Sequence, residues 1–297
     1  METISSEFKA GYVTIIGLPN AGKSTLMNSL LDIKLSIISS KPQTTRRRVL
    51  GILNKKELQA IFIDTPGILE PKYNLQKRMM QNVGSALDDA DMILMIVDAK
   101  QKTHPVRLDI NALNPKQKPV VLVLNKVDII PKADLLPIIE KYSTHYPFKS
   151  IIPISALKKD GLAELEKEMA ALLPLSPPYY PPDTLTDRPE RFFVAEIIRE
   201  KIFEKFWQEI PYSTEVEIET FTERENSKDY ISAVIYVERK SQKGILIGSK
   251  GEALKSIGSE ARKEIETFLD RGIFLDLRVK VNEDWRKDDK KLNRLGY

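Results

Sequence analysis

Between residues 174 and 183 the chain reads PLSPPYYPPD, five prolines in ten positions. Each proline fixes its own φ and pushes the preceding residue towards extended backbone, so neither a helix nor a central strand can run through this stretch. The sequence is therefore expected to fold as two pieces, 1–173 and 191–297, joined by a proline-rich linker over 174–190. Its 297 residues allow this, since domains commonly take roughly 100–200 residues.

Composition narrows the class. At 42% hydrophobic and 30% charged the chain is too apolar to be disordered and too charged to lie within a membrane. It has no cysteine and two histidines, His104 and His145. That excludes a disulfide framework, a thiolate nucleophile and a multi-histidine metal site. The first residues, METISSEFKAGY, lack the basic and apolar regions of a secretion signal. Apolar runs such as 120–124 fall far short of the ~20 residues that span a bilayer. The expected location is the cytoplasm, with at most a peripheral place on the inner face of the cell membrane.

In the first piece, apolar runs at 13–16, 60–63, 92–97, 120–124 and 151–154 alternate with helical patterns. Near-continuous apolar strands separated by helices predict an α/β domain with a mostly parallel sheet covered on both faces. The second piece differs. A helical pattern over 192–207 precedes strands that alternate at 215–222, 231–237 and 274–281, with a helix at about 252–270. This predicts a smaller α+β unit whose sheet has one open face.

The strand at 13–16 runs into Gly17-Leu-Pro-Asn20-Ala21-Gly22-Lys23-Ser24 and then an amphipathic stretch from Thr25. This fits G-x-x-x-x-G-K-[ST] in the strand–loop–helix context of a P-loop. Glycines let backbone N–H groups turn towards phosphate oxygens at a helix N-terminus, where the dipole favours negative charge. Lys23 is placed to reach the β- and γ-phosphates, and the Ser24 hydroxyl to ligate Mg²⁺.

A phosphate cradle does not choose the base. Asn125-Lys126-Val127-Asp128, directly after the 120–124 strand, does. The Asp128 carboxylate can accept from both N1–H and the exocyclic amine of guanine, donors that adenine does not present together. Lys126 would lay its stem over the ring, Asn125 would brace two loops, and Ser155-Ala156 after the next strand would offer the Ala156 N–H to guanine O6. Asp64-Thr-Pro-Gly67 follows the 60–63 strand, with Asp64 suited to hold Mg²⁺ through its shell and Gly67 N–H suited to sense a γ-phosphate. Thr44 and Thr45, in PQTTRRR at 42–48, lie on the long segment between the first helix and that strand. A threonine there can close over Mg²⁺ and γ-phosphate and release after hydrolysis, an order–disorder switch.

In the second piece, Gly248-Ser249-Lys250-Gly251 opens the helix at 252–270. A G-x-x-G loop between helices is the device with which KH domains clamp single-stranded backbone. Arg239, Lys240, Lys243 and Lys250 fall in a window, 239–251, without one acid, which favours nucleic-acid contact.

Together GLPNAGKS, PQTTRR, DTPG, NKVD and SAL resemble the Era family of translation-factor-class GTPases. The resemblance continues to the final DWRKDDKKLNRLGY and so covers essentially the whole chain. It implies a P-loop GTPase domain followed by a type II KH domain, with GTP/GDP and Mg²⁺ as ligands. It implies Thr45 as the Mg²⁺-binding threonine, and as partners the 3′ region of 16S rRNA and the 30S ribosomal subunit during assembly. A monomer is expected. Asn20 resembles the asparagine with which related GTPases hold K⁺ between the phosphates, where the cation would offset charge that develops in the transition state. The sequence departs from Ras-like enzymes at Ile68, where a glutamine would orient the attacking water; water must be placed by another group. A second expectation keeps the GTPase but gives it a membrane-surface or cell-cycle process, with the KH unit contacting protein or lipid.

Net charge is a poor guide here. The whole chain carries 46 basic and 42 acidic residues; residues 1–180 hold 24 and 18 of these, leaving 22 and 24 for 181–297. The piece assigned to RNA is the acidic one, so binding must rest on a local patch, backbone N–H groups and base contacts, with modest salt dependence.

Overall fold

The computed structural model describes residues 7–39, 41–101, 109–225 and 227–297; His104 lies outside them. The chain forms two compact units. The first comprises residues up to Ser36, Thr45–Glu70 and Arg78–Asp187, and the second Ile37–Thr44, Pro71–Lys77 and Arg188–Tyr297.

In the first unit the order is β1 (Lys9–Ile16), α1 (Lys23–Leu31), β2 (Val49–Lys55), β3 (Leu58–Asp64), α2 (Asn74–Asp89, its first turn counted with the second unit) and β4 (Met92–Asp98). The short α3 (Ile110–Leu113), β5 (Val120–Asn125), α4 (Leu135–Ser143), β6 (Ser150–Pro153) and α5 (Leu162–Leu172) follow. The sheet order is β2-β3-β1-β4-β5-β6. All neighbours are parallel except β2 and β3. Val13, Ile15, Ile61, Ile63, Leu94, Ile96 and Leu122 are buried, as strands covered on both faces require.

β2 departs from the expectation. The sequence reads as one long segment from Thr44 and Thr45 to the 60–63 strand, whereas residues 49–55 form an edge strand that pairs antiparallel with β3, Lys55 opposite Leu58. The run VLGILNK lacks a period-2 alternation because every residue from Val49 to Leu53 is buried, and only a two-residue turn separates it from β3. Residues of the proline-rich stretch lie against this edge. On β2, Ile52 N–H donates to Leu185 O (2.9 Å) and Leu50 O accepts the Thr186 hydroxyl (2.7 Å), while Tyr179 and Tyr180 N–H reach Gln59 Oε1 on the neighbouring β3 (2.7 and 3.0 Å). Covering an edge strand this way removes a site for unwanted pairing.

The second unit holds α6 (Glu190–Lys205), α7 (Ile210–Ser213), β7 (Glu215–Thr222), β8 (Asp229–Val237), α8 (Lys240–Ile247), α9 (Glu252–Leu269), β9 (Ile273–Val281) and α10 (Asp289–Arg294). β8 is central, antiparallel to β7 and parallel to β9. Val194, Ile198 and Ile202 of α6 and Ile257, Ala261 and Ile265 of α9, each set at four-residue spacing, pack on Ile231, Ala233, Ile235 and Val237. The opposite sheet face is less open than its alternation predicts. Ser232, Val234 and Glu215 are buried, and the Tyr297 hydroxyl donates to Glu215 (2.6 Å). The glutamates of β7 are thus matched locally, with Tyr236 donating to Glu217 (2.9 Å) and Lys280 to Glu219 (2.7 Å).

Candidate functional site

In the first unit, strand register gathers the candidate residues at the carboxyl ends of the strands. Ile15 pairs with Asp64, and Asp98 pairs with Asn125. β1 lies between β3 and β4, so the loop after β1 leaves the sheet where the strand order reverses. This is the crevice in which open α/β sheets bind ligands.

The 17–24 loop is tightly built. A Cβ on Gly17 would overlap Ile96 O, and one on Gly22 would overlap Asn125 Nδ2. Gly22 has φ 103° and is the residue that opens α1, a backbone conformation that favours glycine. Asn20 has φ 64° and an exposed side chain. Lys23 is buried, its ammonium donating to Leu18 O at 3.1 Å and to Gly17 O at 3.4 Å. These carbonyls hold it within the loop that a phosphate would fill. Burial lowers its pKa to about 8, against the opposing pull of Asp64.

The Ser24 hydroxyl donates to Asp64 Oδ2 (2.7 Å) and sits 3.0 Å from Thr45 Oγ1, which itself reaches Asp64 Oδ2 at 3.4 Å. Asp64 Oδ1 is buried with no hydrogen-bond partner. Desolvation therefore raises the pKa of Asp64, with Lys23 and the hydroxyls of Ser24, Ser36 and Thr45 opposing the rise. Two hydroxyls and a carboxylate with an unspent oxygen suit a hard divalent cation that draws its remaining oxygens from phosphate and water. Among the described residues no cluster of three or more His, Cys, Asp or Glu offers a metal site of its own. Thr44 faces elsewhere, donating to Lys41 O (2.8 Å). Gly67 packs against Pro19, 2.8 Å from where its Cβ would lie, and Ile68 N–H donates to Gly17 O (3.0 Å).

Asn125 joins three loops: its Nδ2 donates to Ala21 O (2.9 Å), its Oδ1 accepts the Ala156 N–H (3.0 Å), and the strand it ends carries 126–128. The N–H expected to meet guanine O6 is therefore donated to Asn125 in this structure. Lys126, at φ 66°, gives its ammonium to Asn20 O (2.8 Å) and Asp98 Oδ2 (2.7 Å). The Ser155 hydroxyl holds the Asp128 carboxyl below the usual carboxylate range, with Lys158 3.7 Å away adding to the effect. Thr25 is half-buried in the first turn of α1.

In the second unit, 248–251 joins α8 to α9. Gly248 has φ 74° and Gly251 φ 81°, and Lys250 takes φ 48°. A Cβ at Gly248 would stand 2.7 Å from Ala253 Cβ, whereas one at Gly251 would meet nothing within 4 Å. Ser249, Lys250, Arg239 and Lys240 are exposed and Lys243 is half-buried. Arg239 opens α8, where the Gln242 carbonyl accepts the Arg239 and Glu238 N–H groups at 2.9 and 3.0 Å. Gly251 N–H turns back to Gly248 O (3.2 Å) and Glu252 N–H to Ser249 O, so what the loop presents at the start of α9 is exposed cations.

Sequence reasoning missed Asp98 and Lys158. Asp98 fixes Lys126, and its signal was available, an acid ending the apolar β4 just as Asp64 ends β3. Lys158 carries no motif.

A P-loop at the reversal point of a mostly parallel sheet, hydroxyls beside Asp64, and the Asn125-Lys126-Val127-Asp128 loop after β5 define a P-loop GTPase; the second unit is a KH domain. The family described as "50S ribosome-binding GTPase" matches residues 12–126, and the KH domain family matches 209–286. GTPase Era of Geotalea daltonii is 49% identical over 98% of both chains, and the chloroplastic GTPase ERA-like of Arabidopsis thaliana is 41% identical over 99% of this chain and 70% of its own. A crystal structure of a point variant of Aquifex aeolicus Era bound to GDP·AlF₄⁻ superposes with a TM-score of 0.94 at 43% identity, covering 98% of this chain and 99% of its own. The same figures hold for Era in complex with MgGDPNP and nucleotides 1506–1542 of 16S ribosomal RNA. The chain belongs to the Era family of GTPases, and it binds and hydrolyses GTP.

Proposed function

We propose that this GTPase is a switch which binds the 3′ region of 16S rRNA through its KH unit and acts in assembly of the 30S subunit. The observation that carries the reading is the 248–251 loop, open at Gly251 and carrying exposed Lys250, in a chain that superposes at 0.94 on an Era structure holding 16S nucleotides 1506–1542 with MgGDPNP. We assign residues 1–173 to nucleotide chemistry, 174–190 to connection and 191–297 to RNA. Arg239, Lys240, Lys243 and residues 248–251 contact RNA backbone.

The 17–25 loop cradles phosphates, with Gly17, Ala21, Gly22 and Thr25 supplying backbone and Lys23 supplying charge. Ser24, Thr45 and Asp64 hold Mg²⁺, which neutralises phosphate charge when bound. Asn20 is assigned to K⁺. Asp128 reads guanine, with Asn125, Lys126, Ser155 and Ala156 fixing the loop around it. The Gly67 N–H meets the γ-phosphate. Ile68 has no group to orient water, so another group must place it. We place the protein in the cytoplasm as a monomer, with any membrane contact peripheral. No helix among the described residues is long and apolar enough to cross a membrane.

Crosslinking in cells followed by sequencing of bound RNA tests the reading. Recovery of the 16S 3′ region supports it. Recovery of no RNA overturns it in favour of a membrane-surface or cell-cycle role.

A further inference from the structure

Two short segments flanking the nucleotide-sensing residues are built into the RNA-binding unit. Thr45 belongs to the first unit, but Ile37–Thr44, ending one peptide bond before it, belongs to the second. Asp64 and Gly67 likewise precede Pro71–Lys77, also in the second. Within that unit the contacts are specific. Lys41 is 8% exposed, and its ammonium donates to Phe206 O (2.6 Å) and to Phe203 O. Phe203 lies in the last turn of α6 and Phe206 caps it. The helix dipole favours a cation there. The same ammonium lies 3.9 Å from the centroid of the Trp207 ring, an indole that is 69% exposed.

The segment is held at two further points. Ile38 N–H donates to the buried Glu200 carboxylate (2.9 Å). Gln43, at φ 62°, receives the Tyr73 hydroxyl (3.2 Å) and the Gln76 amide (3.3 Å) on its Oε1. That ties the two segments to each other. The second is in turn tied to the C-terminal tail: Leu75 N–H donates to Arg286 O (2.9 Å), Asn74 to Lys287 O (2.7 Å), and the Arg286 guanidinium lies 5.0 Å from the Tyr73 ring centroid.

A side chain that gives up hydration to plug a helix end holds its backbone far more firmly than a surface contact. We propose that Lys41 is a positioning residue for the switch. By docking on the end of α6 it fixes the backbone entering Thr45, so that ordering Thr45 on Mg²⁺ and γ-phosphate and ordering the α6–Trp207 corner become one equilibrium. Lys41 touches neither phosphate nor metal in this scheme; it acts through Thr45. By linkage, RNA affinity then depends on nucleotide state and nucleotide affinity on RNA. This rests on the reading of the chain as a GTP-gated RNA-binding switch.

The test uses the full chain with an RNA of 16S nucleotides 1506–1542, and measures RNA Kd with Mg·GDP and with Mg·GDPNP. Coupling of this kind is typically about 5- to 150-fold. Lys41→Met, matched in length but uncharged, is expected to bring the ratio of the two affinities to within about 3-fold. It is also expected to raise the Mg²⁺ needed for half-maximal hydrolysis, leaving GDP affinity unchanged. Lys41→Arg, which can still donate to both carbonyls, is expected to keep most of the ratio. Trp207→Ala, at an exposed position, is expected to lower it part of the way and serves if Lys41→Met fails to fold. A wild-type ratio of one overturns the switch reading and the proposal with it. A wild-type ratio that Lys41→Met and Trp207→Ala both retain overturns the proposal alone.

Discussion

The molecule opens a helix with a glycine loop twice, and the two loops are built to opposite specifications. Gly22 and Gly251 each open a helix in left-handed backbone, at φ 103° and 81°. Around Gly22 the space is closed, with Asn125 Nδ2 occupying the place of a Cβ and Lys23 buried. Around Gly251 it is open, with nothing within 4 Å and Lys250 exposed. A closed loop fixes one phosphate group of one small ligand at one distance. An open loop lets a polymer run past. What the two loops share is a glycine at a helix start; what separates them is enclosure.

The largest effect should come from breaking the closed loop at its charge. Lys23→Ala is expected to lower kcat for GTP hydrolysis by roughly 10²–10³-fold, as loss of a preorganised donor does, with RNA binding measured in GDP unchanged. Next, alanine at the two helix-opening glycines separates enclosure from backbone strain. Both substitutions carry a left-handed penalty of about 1–2 kcal/mol. Gly22→Ala also drives a Cβ into Asn125 and should abolish nucleotide binding by calorimetry, while Gly251→Ala should lower the melting temperature by a few degrees and leave GTP turnover intact.

A smaller effect is expected at Asn20. Hydrolysis should run faster in K⁺ than in Na⁺, by about 10-fold if one transition-state contact of ~1.4 kcal/mol is at stake, and Asn20→Ala should make the two salts equal. The smallest belongs to the open loop. Lys250→Ala should weaken RNA binding evenly across sequences and reduce the slope of log Kd against log salt by about 1.

Much of this contrast was legible in the sequence, for reasons that differ between the loops. The P-loop, 125–128 and Asp64 each follow an apolar strand, and a parallel sheet puts strand ends side by side, so order along the chain translates into proximity. The enclosure did not translate. Ile96 and Asn125 are 79 and 108 residues from Gly17 in number and close on the loop only through strand pairing. β2 stayed hidden because burial of all of 49–53 erased its alternation. The assignment of segments 37–44 and 71–77 to the second unit left no trace either. Lys41 reads as one more surface lysine until its carbonyl partners, 162 and 165 residues away, are known.

The division of labour between the loops is tested most directly by placing acid on the open one. Ser249→Asp combined with Lys250→Asp changes two exposed side chains, without a new Cβ, where RNA phosphates are assigned to run. Binding of 16S nucleotides 1506–1542 and of GTP should be measured on the same preparation. The account predicts that RNA binding is lost while GTP affinity and basal hydrolysis stay at wild-type values. Wild-type RNA affinity in this variant would contradict it.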